Sequence, residues 1–205
     1  MRSMALRRGF LLVLALLAAA GCGERAKLAP LASDDVILAF GDSLTYGTGA
    51  AESESYPAQL EQLIHRKVVA SGVPGEVSAH ALARLPATLD EVQPKLLLLC
   101  IGGNDFLRNL GRAQLEANVQ TMVAVARQRG VDVVLIGTPE KGLLLTPPAF
   151  YAGLAKRYRL PYEGSVIGEI LRHSDLKSDP VHPNARGYRR IAERLAALLK
   201  RSGAI

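Results

Sequence analysis

Apolar positions recur along the chain in two rhythms. Short, mainly apolar runs at 36–40, 67–70, 95–101 and 131–136 have the length of strands rather than helices, and their continuity suits strands buried on both faces. Between them, apolar residues return every third or fourth position. Leu60, Leu63 and Ile64 mark a helix over 56–64, and Leu82, Leu85 and Leu89 give the next helix its core stripe. Leu115, Val119, Met122, Val123 and Ala126 mark a long helix closed by Gly130. Tyr188, Ile191, Leu195 and Leu198 line one face of a C-terminal helix whose other face carries Arg189, Arg190 and Arg194. Weaker signals predict a helix over 149–159, a short strand at 160–162 and one or two helical turns at 165–171.

Glycine and proline separate these elements: Gly41 after the first strand, Gly72 and Pro74 after the second, Gly102 and Gly103 after the third, and a proline-bearing loop over 137–148. Apolar strands alternating with amphipathic helices imply a parallel sheet covered on both faces. The right-handed crossover rule narrows the topology to α/β, a three-layer α/β/α sandwich with a mostly parallel, doubly wound sheet. It is expected over residues 35–205, with neither internal repeat nor second domain.

The first 21 residues follow another pattern. Arg2, Arg7 and Arg8 precede an apolar run over 10–20, too short for a comfortable membrane span but of signal-peptide length. Ala19-Ala20-Gly21-Cys22 resembles a bacterial lipoprotein processing site, with lipid placed on Cys22. A plain secretory signal is the alternative, and residues 22–34 are expected to form a tether. Either way the protein is expected in the bacterial envelope, lipid-anchored and facing the periplasm, or secreted. Loss of residues 1–21 removes three arginines and no acid from 25 basic and 19 acidic residues, leaving 22 against 19. An excess of that size does not point to nucleic acid, and no basic run is interleaved with aromatics. Only Cys22 and Cys100 are present, with no Cys/His cluster at ligand spacing, so a zinc site is not expected.

Candidate chemistry gathers where the strands end. Ser43 follows the first strand in Gly41-Asp42-Ser43-Leu44, and hydroxyls just past the carboxyl ends of parallel strands stand where open α/β sheets place ligands. Taken locally, Gly-Asp-Ser reads as a turn and helix cap, Gly102-Gly103-Asn104-Asp105 as a strand-to-helix turn, and His182-Pro183-Asn184 as a turn with Asn184 capping the last helix. His65, His80 and His173 fit no pattern.

Together these stretches resemble, in order, the blocks of the GDSL or SGNH hydrolase family, whose fold is flavodoxin-like. Gly41-Asp42-Ser43-Leu44 is similar to the first block, Gly72-Val73-Pro74-Gly75-Glu76 to the second, Gly102-Gly103-Asn104-Asp105 to the third and Asp179-Pro180-Val181-His182-Pro183 to the last. The resemblance implies Ser43 as nucleophile, His182 as base and Asp179 as its acid partner. It also implies an oxyanion hole from the Ser43 and Gly75 N–H groups and the Asn104 side chain. Ala70 and Pro74 depart from the Asn and Ser common in relatives, which bears on the loop's geometry and acyl preference.

The resemblance implies the activity of the arylesterase, lysophospholipase and acyl-thioesterase subgroup, cleaving a small acyl ester or thioester through an acyl-Ser43 intermediate without metal or cofactor. Two alternatives share the fold: a deacetylase of envelope carbohydrate, and a non-catalytic binding lipoprotein.

Overall fold

The computed structural model describes residues 26–140, 142 and 145–205. Strands β1 (Ile37–Gly41), β2 (Val68–Gly72), β3 (Leu96–Cys100), β4 (Asp132–Ile136) and β5 (Tyr162–Glu163) form one sheet in the order β2-β1-β3-β4-β5. Every pairing is parallel. This is the expected doubly wound sheet, in the flavodoxin-like order whose ligand crevice lies at the carboxyl ends of β1 and β3. Gly41 stands level with Gly72 on one side and Cys100 on the other, so the loops leaving all three strands emerge along one edge.

The period-2 alternation of a strand divides each apolar run between two cores. Ile37, Ala39, Leu96, Leu98 and Cys100 pack under α2 (Tyr56–Ile64), α7 (Val166–Arg172) and α8 (Ala185–Ser202). Leu38, Phe40, Leu97 and Leu99 pack under α3 (Ser78–Val92), α5 (Arg112–Gln128) and α6 (Ala149–Tyr158). Two shorter helices, α1 (Ser43–Tyr46) and α4 (Gly103–Leu107), follow β1 and β3 directly.

Four details differ from the expectations drawn from sequence. The last strand, expected at 160–162, is Tyr162–Glu163, the two residues that pair with Leu135 and Ile136. Strand β2 runs to Gly72, not residue 70, because its pairing with β1 continues to Gly41. In α3 the small Ala81 is fully buried beside Leu85 and Leu89, whereas Leu82 is half-buried at the margin of the stripe. The described part of the expected tether, residues 26–34, lies on the domain. Leu28 N–H donates to the Ser202 carbonyl and Leu31 N–H to that of Ala204, both at 2.9 Å, and the Leu31 side chain joins the core. Ala29 N–H donates to Asp132 at 3.2 Å, which places this segment at the amino edge of the sheet.

Candidate active site

The first block follows from a steric requirement on β1. A Cβ on Gly41 would stand 1.8 Å from the Cys100 carbonyl oxygen, so only glycine lets the chain turn here against β3. Asp42 follows and accepts the Leu44 N–H through Oδ1 at 3.0 Å, capping α1 and setting Ser43 as its first residue. Asp42 is buried, and its Oδ2 finds no donor among the described residues. Burial pushes its carboxyl up to about 6, against the lowering influence of the Leu44 N–H and the His182 ring.

The last block is a loop closed on itself. Ser178 N–H donates to the His182 carbonyl and Asn184 N–H to that of Leu176, each at 3.0 Å. Asn184 caps α8 by accepting the Gly187 N–H. Within the loop, Asp179 Oδ1 accepts the N–H groups of Val181 and His182, both at 2.8 Å. Its Oδ2 lies 2.6 Å from His182 Nδ1, and His182 Nε2 lies 2.9 Å from Ser43 Oγ across 139 residues of sequence. A carboxylate accepts only, so Nδ1 carries the proton and Nε2 turns its lone pair toward the serine hydroxyl. Partial burial pushes the Asp179 carboxyl up, but its bonds to the His182 ring and the two amides outweigh that and hold it below its ordinary value.

The second and third blocks are joined to each other. Val73-Pro74-Gly75-Glu76 is a tight turn closed by Glu76 N–H donating to the Val73 carbonyl at 3.1 Å. Proline at the second position and glycine at the third, with a φ of +78° at Gly75, are the signature of a type II turn. Pro74, expected to bear on the geometry of this loop, thus suits the turn it occupies. Asn104 donates its side-chain amide to the Glu76 carbonyl at 3.0 Å, and Arg108 donates to the Gly75 carbonyl at 2.8 Å. Asp105 accepts both the N–H and the hydroxyl of Ser78, and Asn118 donates to that same hydroxyl.

These groups meet at a cavity of about 420 Å³. Ser43, Gly75, Asn104 and His182 all line it, and Asp179 stands behind His182. Leu44, Phe106, Leu145, Ile167, Leu171 and Val181 supply apolar wall. Of the expected site residues, Cys22 lies outside the described residues. His65, His80 and His173 are exposed and do not line this cavity. No group of three or more metal-ligating side chains occurs among the described residues. Sequence reasoning missed Arg108 and Arg84. Neither belongs to a block, and the only sign of Arg84 was a charge beside the apolar stripe of α3.

The GDSL-like Lipase/Acylhydrolase family matches residues 39–190. Esterase TesA of Pseudomonas aeruginosa is 29% identical over 199 residues, covering 88% of this chain and 95% of its own. The thioesterase 1/protease 1/lysophospholipase L1 of Escherichia coli K12 is 31% identical over 177 residues, covering 82% and 85%. The crystal structure of TesA superposes with a TM-score of 0.71 at 27% identity, over 82% of this chain and 99% of that one. With the ordered blocks, the sheet order and these similarities in agreement, the chain belongs to the GDSL-like lipase/acylhydrolase family of ester-bond hydrolases.

Proposed function

We propose that this protein is a serine esterase that cleaves carboxylic esters or thioesters through an acyl-Ser43 intermediate. The observation that carries the reading is the unbroken run Asp179–His182–Ser43, at 2.6 and 2.9 Å, opening on a cavity with an apolar wall. His182 Nε2 takes the hydroxyl proton as Ser43 Oγ bonds to the substrate carbonyl carbon. Asp179 holds the imidazole in the tautomer this requires and stabilises the imidazolium that forms. The Ser43 and Gly75 N–H groups and the Asn104 amide receive the negative oxygen of the tetrahedral intermediate. Its collapse breaks the bond to the alcohol or thiol, which leaves with the proton held by His182. Water, deprotonated by the same nitrogen, then attacks the acyl-serine and releases the acid.

Leu145, Ile167, Leu171 and Val181 favour an acyl chain over an acetylated sugar, whose hydroxyls would lose water without gaining partners on such a wall. The esterase and thioesterase relatives support the same substrate class. A hydrolysis panel of p-nitrophenyl esters of increasing chain length, the matching acyl-thioesters and acetylated sugars tests it. Activity should rise with chain length beyond acetyl and vanish in Ser43→Ala, which should also lose labelling by a fluorophosphonate. Activity on acetylated sugars alone would replace this reading with that of a carbohydrate deacetylase. A folded protein inert to both the panel and the probe would be a binding lipoprotein.

For location we propose a lipid on Cys22, on the strength of the basic and apolar stretch before it. The first described residue, Ala26, lines a cleft with Asp132 and Val133 at the amino edge of β4. A chain held at Cys22 then presents the carboxyl edge, and its site, away from the attachment point. Mass spectrometry of the mature N-terminus tests this, an unmodified terminus downstream of Cys22 being the result against it.

A further inference from the structure

Arg84, midway along α3, reaches back under the site and binds three separate stretches of chain. Its Nε and one terminal nitrogen hold the two carboxylate oxygens of Glu76, each at 2.7 Å. The other terminal nitrogen donates to Ser71 Oγ at 2.7 Å, and main-chain carbonyls of Gly41 and Ser71 complete the set at 3.1 Å each. The guanidinium also lies over the Phe40 ring, 3.9 Å from its centroid. The Glu76 side chain is 6% exposed and that of Arg84 25%. Arg84 does not line the cavity.

Stability alone does not account for such an arrangement. A buried ion pair is costly to desolvate, and hydrocarbon of similar volume often stabilises a fold as well or better. What a planar fork supplies and hydrocarbon does not is direction, fixed at several acceptors at once. The acceptors here are telling. Gly41 is two residues before Ser43. Ser71 is the last residue but one of β2, the strand that feeds the type II turn. Glu76 follows Gly75, and its carbonyl holds the Asn104 amide. The three oxyanion donors therefore each lie within two residues or one hydrogen bond of a group that Arg84 grips.

We infer that Arg84, with Glu76, is a positioning pair for the oxyanion hole. It fixes the Ser43 N–H, the Gly75 N–H and the Asn104 amide relative to one another without touching substrate. The inference rests on the oxyanion assignment made under the proposed function. Electrostatic stabilisation of this kind depends on donors held in place before charge develops, and displacement of about 1 Å can cost roughly a hundredfold in rate.

The test is a mutant cycle on the full-length protein with a p-nitrophenyl ester. Arg84→Met combined with Glu76→Gln removes the pair and leaves neither charge buried alone. The rate is expressed per site labelled by a fluorophosphonate, so loss of folded protein does not register as loss of rate. We expect kcat to fall about ten- to a hundredfold with KM within about threefold of the parent. Arg84→Lys, keeping the charge but losing the fork, should recover part of that rate. In an Asn104→Ala background the same pair of substitutions should cost clearly less than in the parent, because one of the three donors it aligns is already gone. An unchanged kcat per labelled site, or the full penalty repeated in the Asn104→Ala background, overturns the inference. If the paired variant does not fold, Arg84→Lys carries the same cycle, and the same two results overturn the inference. Failure of the oxyanion assignment itself appears separately, as Asn104→Ala alone leaving kcat unchanged.

Discussion

Asn104 donates its side-chain amide to the main-chain carbonyl of Glu76 at 3.0 Å, so helix α4 after β3 is tied to the loop after β2 by the group proposed to receive the oxyanion. The bond fixes which end of the amide is nitrogen, since a carbonyl only accepts. One N–H is spent on Glu76, and the other remains for a ligand in the cavity that Asn104 lines. Asn104→Ala should lower kcat about a hundred- to thousandfold, with KM changed little, because the donor matters most once charge has developed. Asn104→Asp should be worse than alanine. Its carboxylate would face both the Glu76 carbonyl and the developing oxyanion, with no donor for either. Steady-state kinetics of the two variants give the ranking, and an aspartate variant as active as the parent would remove Asn104 from the oxyanion hole.

Asp179 uses its two oxygens differently, and one substitution separates them. Oδ1 holds the loop through two N–H groups, and Oδ2 holds the ring. Asp179→Asn keeps an oxygen for the loop and presents an NH₂ to His182 Nδ1. That donor favours a proton on Nε2, the nitrogen that must accept from Ser43. The loop should stay folded while kcat falls roughly 10²–10⁴-fold, the range of general acid–base assistance. Circular dichroism with fluorophosphonate labelling rates checks both halves. Fast labelling in a folded variant would contradict the tautomer argument.

Much of this arrangement was legible in the chain because parallel sheets convert sequence into position. The apolar runs followed by Gly41, Gly72 and Gly102 placed three blocks at one sheet edge, and the resemblance supplied their roles. What stayed hidden depends on contacts between residues with no shared pattern. Arg108 against Gly75 and Arg84 against Glu76 are such pairs, separated by 33 and 8 residues. Residues 26–34 show the same limit. They have no periodicity because they form neither helix nor strand, yet main-chain bonds to Ser202 and Ala204 dock them on the domain.

That docking predicts a stability effect far from the site. Leu31 is 7% exposed and belongs to the core under α8. Leu31→Ala should cost about 2–3 kcal/mol, the lower part of the range for buried leucines, since the site is at the edge of the core. For a domain of this size that lowers Tm by roughly 4–12 °C. Rate per active site should be unchanged, because residues 26–34 lie at the sheet edge opposite Ser43. Thermal melts beside titrated kinetics measure both. A Tm within about a degree of the parent would mean that the segment rests on the domain without stabilising it.

Asp42 gives the pH dependence its sign. Its carboxyl is raised to about 6 in the folded protein by burial, whereas an unfolded aspartate titrates near about 3.9. Between those values the folded state holds a proton that the unfolded state has released, so raising the pH through this window favours unfolding. The effect is absent below about pH 4, where both states are protonated, and complete above about pH 6. Each pKa unit corresponds to about 1.4 kcal/mol, so the full loss is on the order of 3 kcal/mol. Asp42→Asn cannot titrate but keeps an oxygen to cap α1 through the Leu44 N–H. Any penalty from burying its amide is the same at every pH and drops out of the comparison. Asp179 works in the opposite direction. Its carboxyl is held low, so the stability it lends is present at neutral pH and lost as the pH falls through its folded value. That contribution is common to parent and variant and cancels as well. Urea unfolding at intervals from pH 4 to pH 8 should therefore show the variant gaining on the parent by up to about 3 kcal/mol, most of it between pH 4 and 6. Parallel curves across that range would mean that the Asp42 carboxylate is as well stabilised in the folded protein as in water.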